Sequence, residues 1–477
     1  MAGSPPFLSK AFLAGSWVQK ARTFPVRNPA TGAVLAEVAD CGANEAHQAI
    51  DAAEKIYPAW RSATHYFRSD LLRRWHGSIL AHAEDLAQTM TREMGKPITE
   101  SRREALYAAS FVDWYAEEAK RIYGESVPSQ HPHKRLLIRY GPVGLTYGIT
   151  PWNFPAAMVT RKAAPALAAG CPFVLKPAEE SPLTALLLAK LWEECGGWPA
   201  VFQVLPSTNP AAVSAPFLAD TRVRKLTFTG STPVGKRLYE RSASTLKRIS
   251  LELGGGAPFL VFADADLEKA AEGAITAKFR NGGQSCVAAN AFYLQKEIEP
   301  EFTRLFAEKV ASLRVGDPLD ERTQVGPLVS AQALGKVQEL LYDARGRGAK
   351  TLLGGPSRGL FFSPTILTGV APDSRLLEEE IFGPVAPLCS FADDAEALAA
   401  ARRGGAGLAV YLWTRDLGRA FRLSEEIPYG IVGLNDALPS TAQAPFGGVR
   451  ESGLGREGGK WGLAEYLEPQ YLSLGLG

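Results

Sequence analysis

Three short stretches carry side chains whose types can do covalent chemistry together. Cys286 ends Phe279-Arg280-Asn281-Gly282-Gly283-Gln284-Ser285-Cys286, Glu252 sits in Leu251-Glu252-Leu253-Gly254-Gly255, and Asn153 sits in Thr150-Pro151-Trp152-Asn153-Phe154-Pro155. A thiol, a carboxylate and an amide can serve as nucleophile, general base and oxyanion donor, and together they suggest attack on an aldehyde. A lone cysteine is more often a small buried hydrophobe. Here Gly282-Gly283 permits close backbone approach, and a turn leading into new structure can aim N–H groups at the sulfur, favouring thiolate and then oxyanion. Cys41, Cys171, Cys195 and Cys389 have no such setting and read as structural. Glu252, at the end of an apolar strand, is expected to be partly desolvated, which raises a carboxylate toward the working range of a general base. Asn153 alone reads as a turn residue.

The elements that must position these groups follow from hydrophobic period. Asn44 is placed to cap a helix with apolar positions Ala46, Ile50, Ala53 and Ile56, and Leu72, Trp75, Ile79, Ala83, Leu86 and Met90 repeat the pattern, so the early chain reads as largely helical. From Pro142 onward, short apolar runs alternate with helical stretches. Phe173-Val174-Leu175 precedes a helix opened by Ser181-Pro182, and Val201 to Leu205 and Leu226-Thr227-Phe228 follow. A second alternating set runs through Phe259 to Phe262, a helix after Asp264, Phe292 to Leu294, Leu408 to Leu412 and Ile431 to Leu434. Alternation of this kind means parallel sheets with crossover helices, hence two α/β domains, as 477 residues would lead one to expect. Residues Glu125 to Tyr140 and the tail Gln470 to Leu474 read as extended.

Bulk properties narrow the partners. A formal charge of +2 with scattered basic residues gives no reason to expect nucleic acid or an anionic membrane, so a small molecule is the better default. No run approaches the ~18 apolar residues of a membrane span, and Met1-Ala2-Gly3-Ser4-Pro5-Pro6 lacks a basic segment followed by an apolar core, so a cytoplasmic location is expected. Five dispersed cysteines make neither a disulfide framework nor a zinc site, and no metal is expected.

The three chemical motifs, with Lys176-Pro177-Ala178-Glu179, Phe228-Thr229-Gly230-Ser231, Glu380-Ile381-Phe382-Gly383-Pro384 and Pro445-Phe446-Gly447-Gly448, resemble the aldehyde dehydrogenase superfamily in order and over nearly the whole chain. The resemblance implies a Rossmann-like NAD-binding domain (1–122 and 142–251), an α/β catalytic domain (252–465), and a small β oligomerisation segment (123–141 and 466–477) through which a homodimer or homotetramer forms. It implies that Asn153 and the Cys286 backbone N–H make the oxyanion hole, and that Lys162 and Glu468 belong to a proton relay. It also implies that Thr150, Pro151, Trp152, Lys176, Glu179, Gly230, Ser231, Leu253, Glu380 and Phe382 hold the cofactor. Gly230 to Gly235 is not the G-x-G-x-x-G fingerprint, but it follows a strand and opens a helix, so its N–H groups can face a pyrophosphate. A carboxylate at Glu179 would repel the extra phosphate of NADP, so NAD is expected, with NADP as the alternative.

The stretch Pro445 to Gly458 is most similar to the succinate-semialdehyde dehydrogenase branch. That resemblance implies that Arg161, Arg280 and Ser440 hold the substrate's far carboxylate, a task that suits the arginine fork. Glutarate semialdehyde or an aminoaldehyde is the nearest alternative; a non-catalytic relative and a coenzyme A-acylating enzyme are further ones. The branch's second cysteine is absent, since the chain reads Cys286-Val287-Ala288, so no disulfide switch is expected there. Ala291 stands where arginine or glutamine is frequent, and Pro439 before Ser440 replaces an aliphatic residue, which bears on acid chain length.

Overall fold

The computed structural model describes residues 7–476. The hexapeptide Met1 to Pro6, read above for a leader signal, lies outside the described residues, as does Gly477. Five parallel strands, Leu145–Ile149, Phe173–Lys176, Phe202–Val204, Val223–Thr229 and Arg248–Glu252, form the centre of the first sheet. Numbered along the chain, they lie side by side in the order third, second, first, fourth, fifth. Helices Ala157–Ala169, Pro182–Glu194, Pro210–Ala219 and Thr232–Ser242 connect them. Most strand residues are buried, as expected when crossover helices cover both faces. The order reverses between Leu145–Ile149 and Val223–Thr229, and in open α/β sheets a ligand lies beyond the carboxyl ends of the strands at such a point.

The early chain is less helical than its periodicity implied. Ala11–Leu13 and Ser16–Val18 form a hairpin whose turn residues Ala14 and Gly15 both have positive φ, and Phe12 pairs with distant Val204 to extend the first sheet. Thr23–Arg27 and Val34–Ala39 form a second hairpin. The first helix is Ala43–Ser62, so Asn44 lies inside it rather than capping it; Gly42 is the cap, and its N–H donates to the Glu45 carboxylate at 2.8 Å. Helices His65–Ala81, Ala83–Met94 and Ile98–Ala119 follow. The last of these packs on Ala157–Ala169, a helix buried on every side, which is why its cations Arg161 and Lys162 need internal partners.

The second sheet has six parallel strands in the spatial order Thr365–Thr368, Val385–Phe391, Ala291–Gln295, Pro258–Val261, Ala409–Trp413 and Ile431–Leu434, with Lys350–Leu353 antiparallel at one edge. Gly453–Leu454 returns to pair with Leu251 and Glu252, tying the late chain to the first sheet beside the candidate base. A third sheet joins Leu467–Gly475 to Lys134–Pro142 and Glu125–Val127. Its outer strand leaves Tyr471, Leu472 and Leu474 exposed.

Candidate active site

Four neighbouring strands of the first sheet end together, and each delivers expected site residues. Thr150 to Asn153 follow Ile149, Lys176 ends its strand, Gly230 and Ser231 follow Thr229, and Glu252 ends the fifth strand. The ends are cross-linked: Thr150 N–H donates to the Lys176 carbonyl at 3.2 Å, and Gly230 N–H to the Glu252 carbonyl at 3.0 Å. Cys286 arrives from the other sheet's side, after helix Leu267–Phe279, through Asn281, Gly282 and Gly283, all with positive φ. A Cβ on Gly283 would stand 2.3 Å from the Gly383 carbonyl oxygen, and one on Gly255 would stand 2.2 Å from that of Cys286. Glycine at these two positions lets the nucleophile turn and the glutamate motif close on each other.

The turn is held by amides. Asn153 Nδ2 and Asn281 Nδ2 each donate to the Gln284 carbonyl at 3.1 Å, and Asn281 Nδ2 also reaches the Asn153 carbonyl at 3.0 Å. One Asn153 N–H is thus used to brace the cysteine turn, and Asn153 Oδ1 is buried with no partner among the described residues. Cys286 lines a cavity of about 440 Å³ together with Arg161, Arg280, Tyr107, Ser440 and Phe446. Burial pushes its thiol up to about 12; Arg161 and Arg280 pull it down, while Glu380 and Glu252 oppose them.

Glu252 is only 2% exposed, and neither carboxylate oxygen has a hydrogen-bond partner among the described residues. Burial first, then the charge of Glu457, holds its carboxyl well above the usual range, against Arg161 and Lys162. Lys162 Nζ donates to Glu457 and, at 3.2 Å, to Thr227 Oγ1. Arg161 Nε faces the other Glu457 oxygen as an ion pair, off the line of a hydrogen bond, and its guanidinium lies 4.1 Å from the Phe446 ring centroid. Burial drives Glu457 up, but the two cations outweigh it and hold the carboxyl below its ordinary value. Glu468 is not in this cluster. It is exposed on the strand Leu467–Gly475, where Arg248 Nη1 meets it at 3.3 Å, because the chain has already left the sheet junction for the small third sheet. Glu457, which sits in the Gly-Arg-Glu-Gly segment of the late glycine-rich stretch, is the carboxylate beside Lys162.

The arginines differ. Arg161 is buried and ion-paired, whereas Arg280, 5.2 Å from the Phe154 ring centroid, has no hydrogen bond or ion pair among the described residues. Ser440 Oγ lies 2.5 Å from Tyr107 Oη. Tyr107 belongs to a face of helix Ile98–Ala119 that the sequence reading passed over. Glu100 accepts from Asn281 N–H at 2.8 Å, and Glu104 accepts from Ala156 and Ala157 N–H at 3.0 and 3.3 Å. Glu104 also pairs with Lys96, whose ammonium donates to the Asn153 carbonyl at 2.8 Å. Residues 100, 104 and 107 are spaced four and three apart, so one helix face braces three loops. Carboxylates on a face shared with buried Ser101, Ala105 and Ala108 were the available signal.

The expected cofactor residues line the strand ends. Lys176 is buried and its Nζ meets Glu179 Oε2 at 2.7 Å, leaving the Glu179 side chain 41% exposed. Ser231 caps helix Thr232–Ser242 without a side-chain hydrogen bond, and the first turn has no acidic residue, so its N–H groups suit an anion such as a pyrophosphate. Glu380 Oε1 accepts from Gly255 N–H at 3.1 Å, and burial pushes its carboxyl up to about 7. Phe382, at φ +50°, meets Trp152 edge-on with ring centroids 5.5 Å apart. Pro151 precedes that tryptophan. Leu253 is fixed by its N–H to Ser452 and by side-chain contact at Gly235. The donor set therefore fits a dinucleotide.

The model of the aldehyde dehydrogenase family matches residues 17–472. The chain is 48% identical to a glutarate-semialdehyde dehydrogenase of Pseudomonas putida over 98% of both chains. It is 47% identical to an NADP(+) succinate-semialdehyde dehydrogenase of Escherichia coli, again over 98% of both. Among solved structures, a succinate-semialdehyde dehydrogenase from Burkholderia pseudomallei is similar at 44% identity and a TM-score of 0.98, covering 100% of this chain and 99% of its own.

Lys96→Met leaves the Glu104 carboxylate buried without its cation and should cost about 3–5 kcal/mol of stability, read as a lowered denaturation midpoint. Adding Glu104→Gln should recover part of the loss, because a neutral amide needs no counter-charge. Equal midpoints for the single variant and wild type would contradict this account of the pair.

Proposed function

The chain belongs to the aldehyde dehydrogenase family, and from that premise we propose that it oxidises succinate semialdehyde to succinate with NAD(P). The observation that carries the substrate is the cavity, which Cys286 shares with Arg161, the unpaired Arg280, and Ser440. A cation with no internal partner facing the nucleophile's cavity suits an aldehyde with a remote carboxylate. Glutarate semialdehyde is the second reading, favoured by the similarity to the Pseudomonas putida enzyme. A non-catalytic role is disfavoured because Cys286, Glu252 and Asn153 are all present and brought together.

The Cys286 thiol gives up its proton to water, its sulfur adds to the carbonyl carbon, and the Asn153 amide with the Cys286 N–H holds the oxyanion. A nicotinamide cofactor, bound by Lys176, Glu179, Gly230, Ser231 and Glu380 with Thr150, Pro151, Trp152, Leu253 and Phe382 around it, supplies the hydride acceptor. Glu252 then takes a proton from water as the water oxygen bonds to the thioester carbon; the C–S bond breaks and sulfur leaves as thiolate. Burial raises its affinity for protons, which suits it to take one from water, and its desolvated oxygens lie free to accept. Lys162 is the group that passes the proton on, while Glu457, held ionised beside it by Lys162 and Arg161, is the fixed charge that strengthens Glu252's hold on protons. Water activation by Glu252 favours hydrolysis over acyl transfer to a thiol such as coenzyme A.

The same reading assigns residues 1–122 and 142–251 to the cofactor domain and 252–465 to the catalytic domain. It assigns 123–141 and 466–477 to oligomerisation: an outer strand exposing Tyr471, Leu472 and Leu474 supports a homodimer or homotetramer. A cytoplasmic setting accords with this; among the described residues no helix is long and apolar enough to cross a membrane.

Arg280→Ala should cut kcat/KM for succinate semialdehyde by about 30-fold or more while changing butanal oxidation far less, since removing one partner of a desolvated charge pair costs ~2–5 kcal/mol. Equal losses on both aldehydes would make the enzyme a general aldehyde dehydrogenase. NAD should be used with the higher efficiency, and Glu179→Ser should narrow its lead, because the carboxylate repels a 2′-phosphate. A wild-type preference for NADP would show that the buried ammonium of Lys176 outweighs Glu179.

A further inference from the structure

Tyr107 and Ser440 are 333 residues apart, yet their hydroxyl oxygens lie 2.5 Å apart in the cavity that holds Cys286. Two hydroxyls carry two protons, and the bond between them uses one. Neither oxygen has another hydrogen-bond partner among the described residues, so one O–H of the pair is left to donate. Meanwhile Arg161 already serves Glu457, so of the two arginines assigned to the acid group Arg280 is the one without a hydrogen bond or ion pair among the described residues. A carboxylate accepts at about four lone-pair sites, and one guanidinium fork fills two of them. The remaining sites need neutral donors, and this hydroxyl pair lines the same cavity.

We propose that Tyr107 is a specificity-determining residue for the acid group: its phenol and the Ser440 hydroxyl act as one donor unit on the substrate's far carboxylate, beside Arg280. The proposal rests on the semialdehyde-acid reading given above. Tyr107 is suited to the task by rigidity. Its ring packs edge-on against Phe111 at 4.9 Å between centroids, and it stands three residues after Glu104, which is fixed by Lys96 and two backbone N–H groups. Ser440 stands between Pro439 and Thr441 in a segment without regular secondary structure, and Tyr107 is its sole side-chain anchor among the described residues. The long helix therefore sets where the hydroxyl of a loop residue points.

The test is steady-state kinetics of Tyr107→Phe, Ser440→Ala and the double variant on succinate semialdehyde and on butanal, which has the same carbon count and no acid group. Tyr107→Phe keeps the ring and its contact with Phe111, so folding is spared, and an unchanged denaturation midpoint checks this. We expect kcat/KM for succinate semialdehyde to fall about 10-fold or more, mainly through KM, with butanal within about two-fold of wild type. The double variant should be little worse than the worse single one, since either change breaks the unit. Equal losses on both aldehydes, or fully additive losses, would overturn the proposal. A wild-type enzyme that does not favour succinate semialdehyde over butanal would remove the underlying reading, and the proposal with it.

Discussion

The ion pair between Lys96 and Glu104 is the constraint on which the site depends. Both side chains are almost completely buried, and each has a second duty at once: Lys96 holds the Asn153 carbonyl, and Glu104 holds the first N–H groups at the start of helix Ala157–Ala169. That helix carries Arg161 and Lys162 into the interior. From the same helical face, Glu100 holds the backbone of the cysteine turn and Tyr107 holds the Ser440 loop. Three loops that are remote in sequence thus take their positions from one rigid rod. A charge pair used this way contributes placement more than net stability, since desolvation offsets much of its attraction.

A second level of order lies in which charges are matched and which are not. Glu457 takes both Lys162 and Arg161, so it remains ionised despite burial. Glu252, close enough to feel all three charges, receives no hydrogen bond and is left with a high affinity for protons. Two buried carboxylates in one cluster are thereby driven in opposite directions, one held as a fixed charge and one able to take up and release a proton. Arg280 shows the complementary device: a cation left without an internal partner is ready for an external one.

Much of the fold was legible because the alternating strands are short apolar runs separated by helical period, as in Phe173 to Leu175 and Phe259 to Phe262. The hairpin Ala11 to Val18 was not, since three-residue strands show no period and their partner, Phe202–Val204, lies far along the chain. At the site, Cys286, Glu252 and Asn153 stood out by residue type within glycine- and proline-rich contexts, and the structure brings their segments together. Glu457 and the Glu100, Glu104 and Tyr107 face did not stand out, because a carboxylate's role there is defined by what packs against it across the fold. Glu468 was placed in the proton relay by the family resemblance alone, and the turn into the third sheet carries it away from Lys162.

The central claim is that turnover passes through an acyl bond on Cys286 that Glu252 resolves. Mass spectrometry of the intact Glu252→Gln protein, quenched after mixing with succinate semialdehyde and NAD, tests it most directly. The account predicts a stoichiometric mass increase of one succinyl group, mapped to Cys286 and absent from Cys286→Ala. An unmodified Glu252→Gln protein that nonetheless turns over at the wild-type rate, or a succinyl group on any other residue, would contradict it.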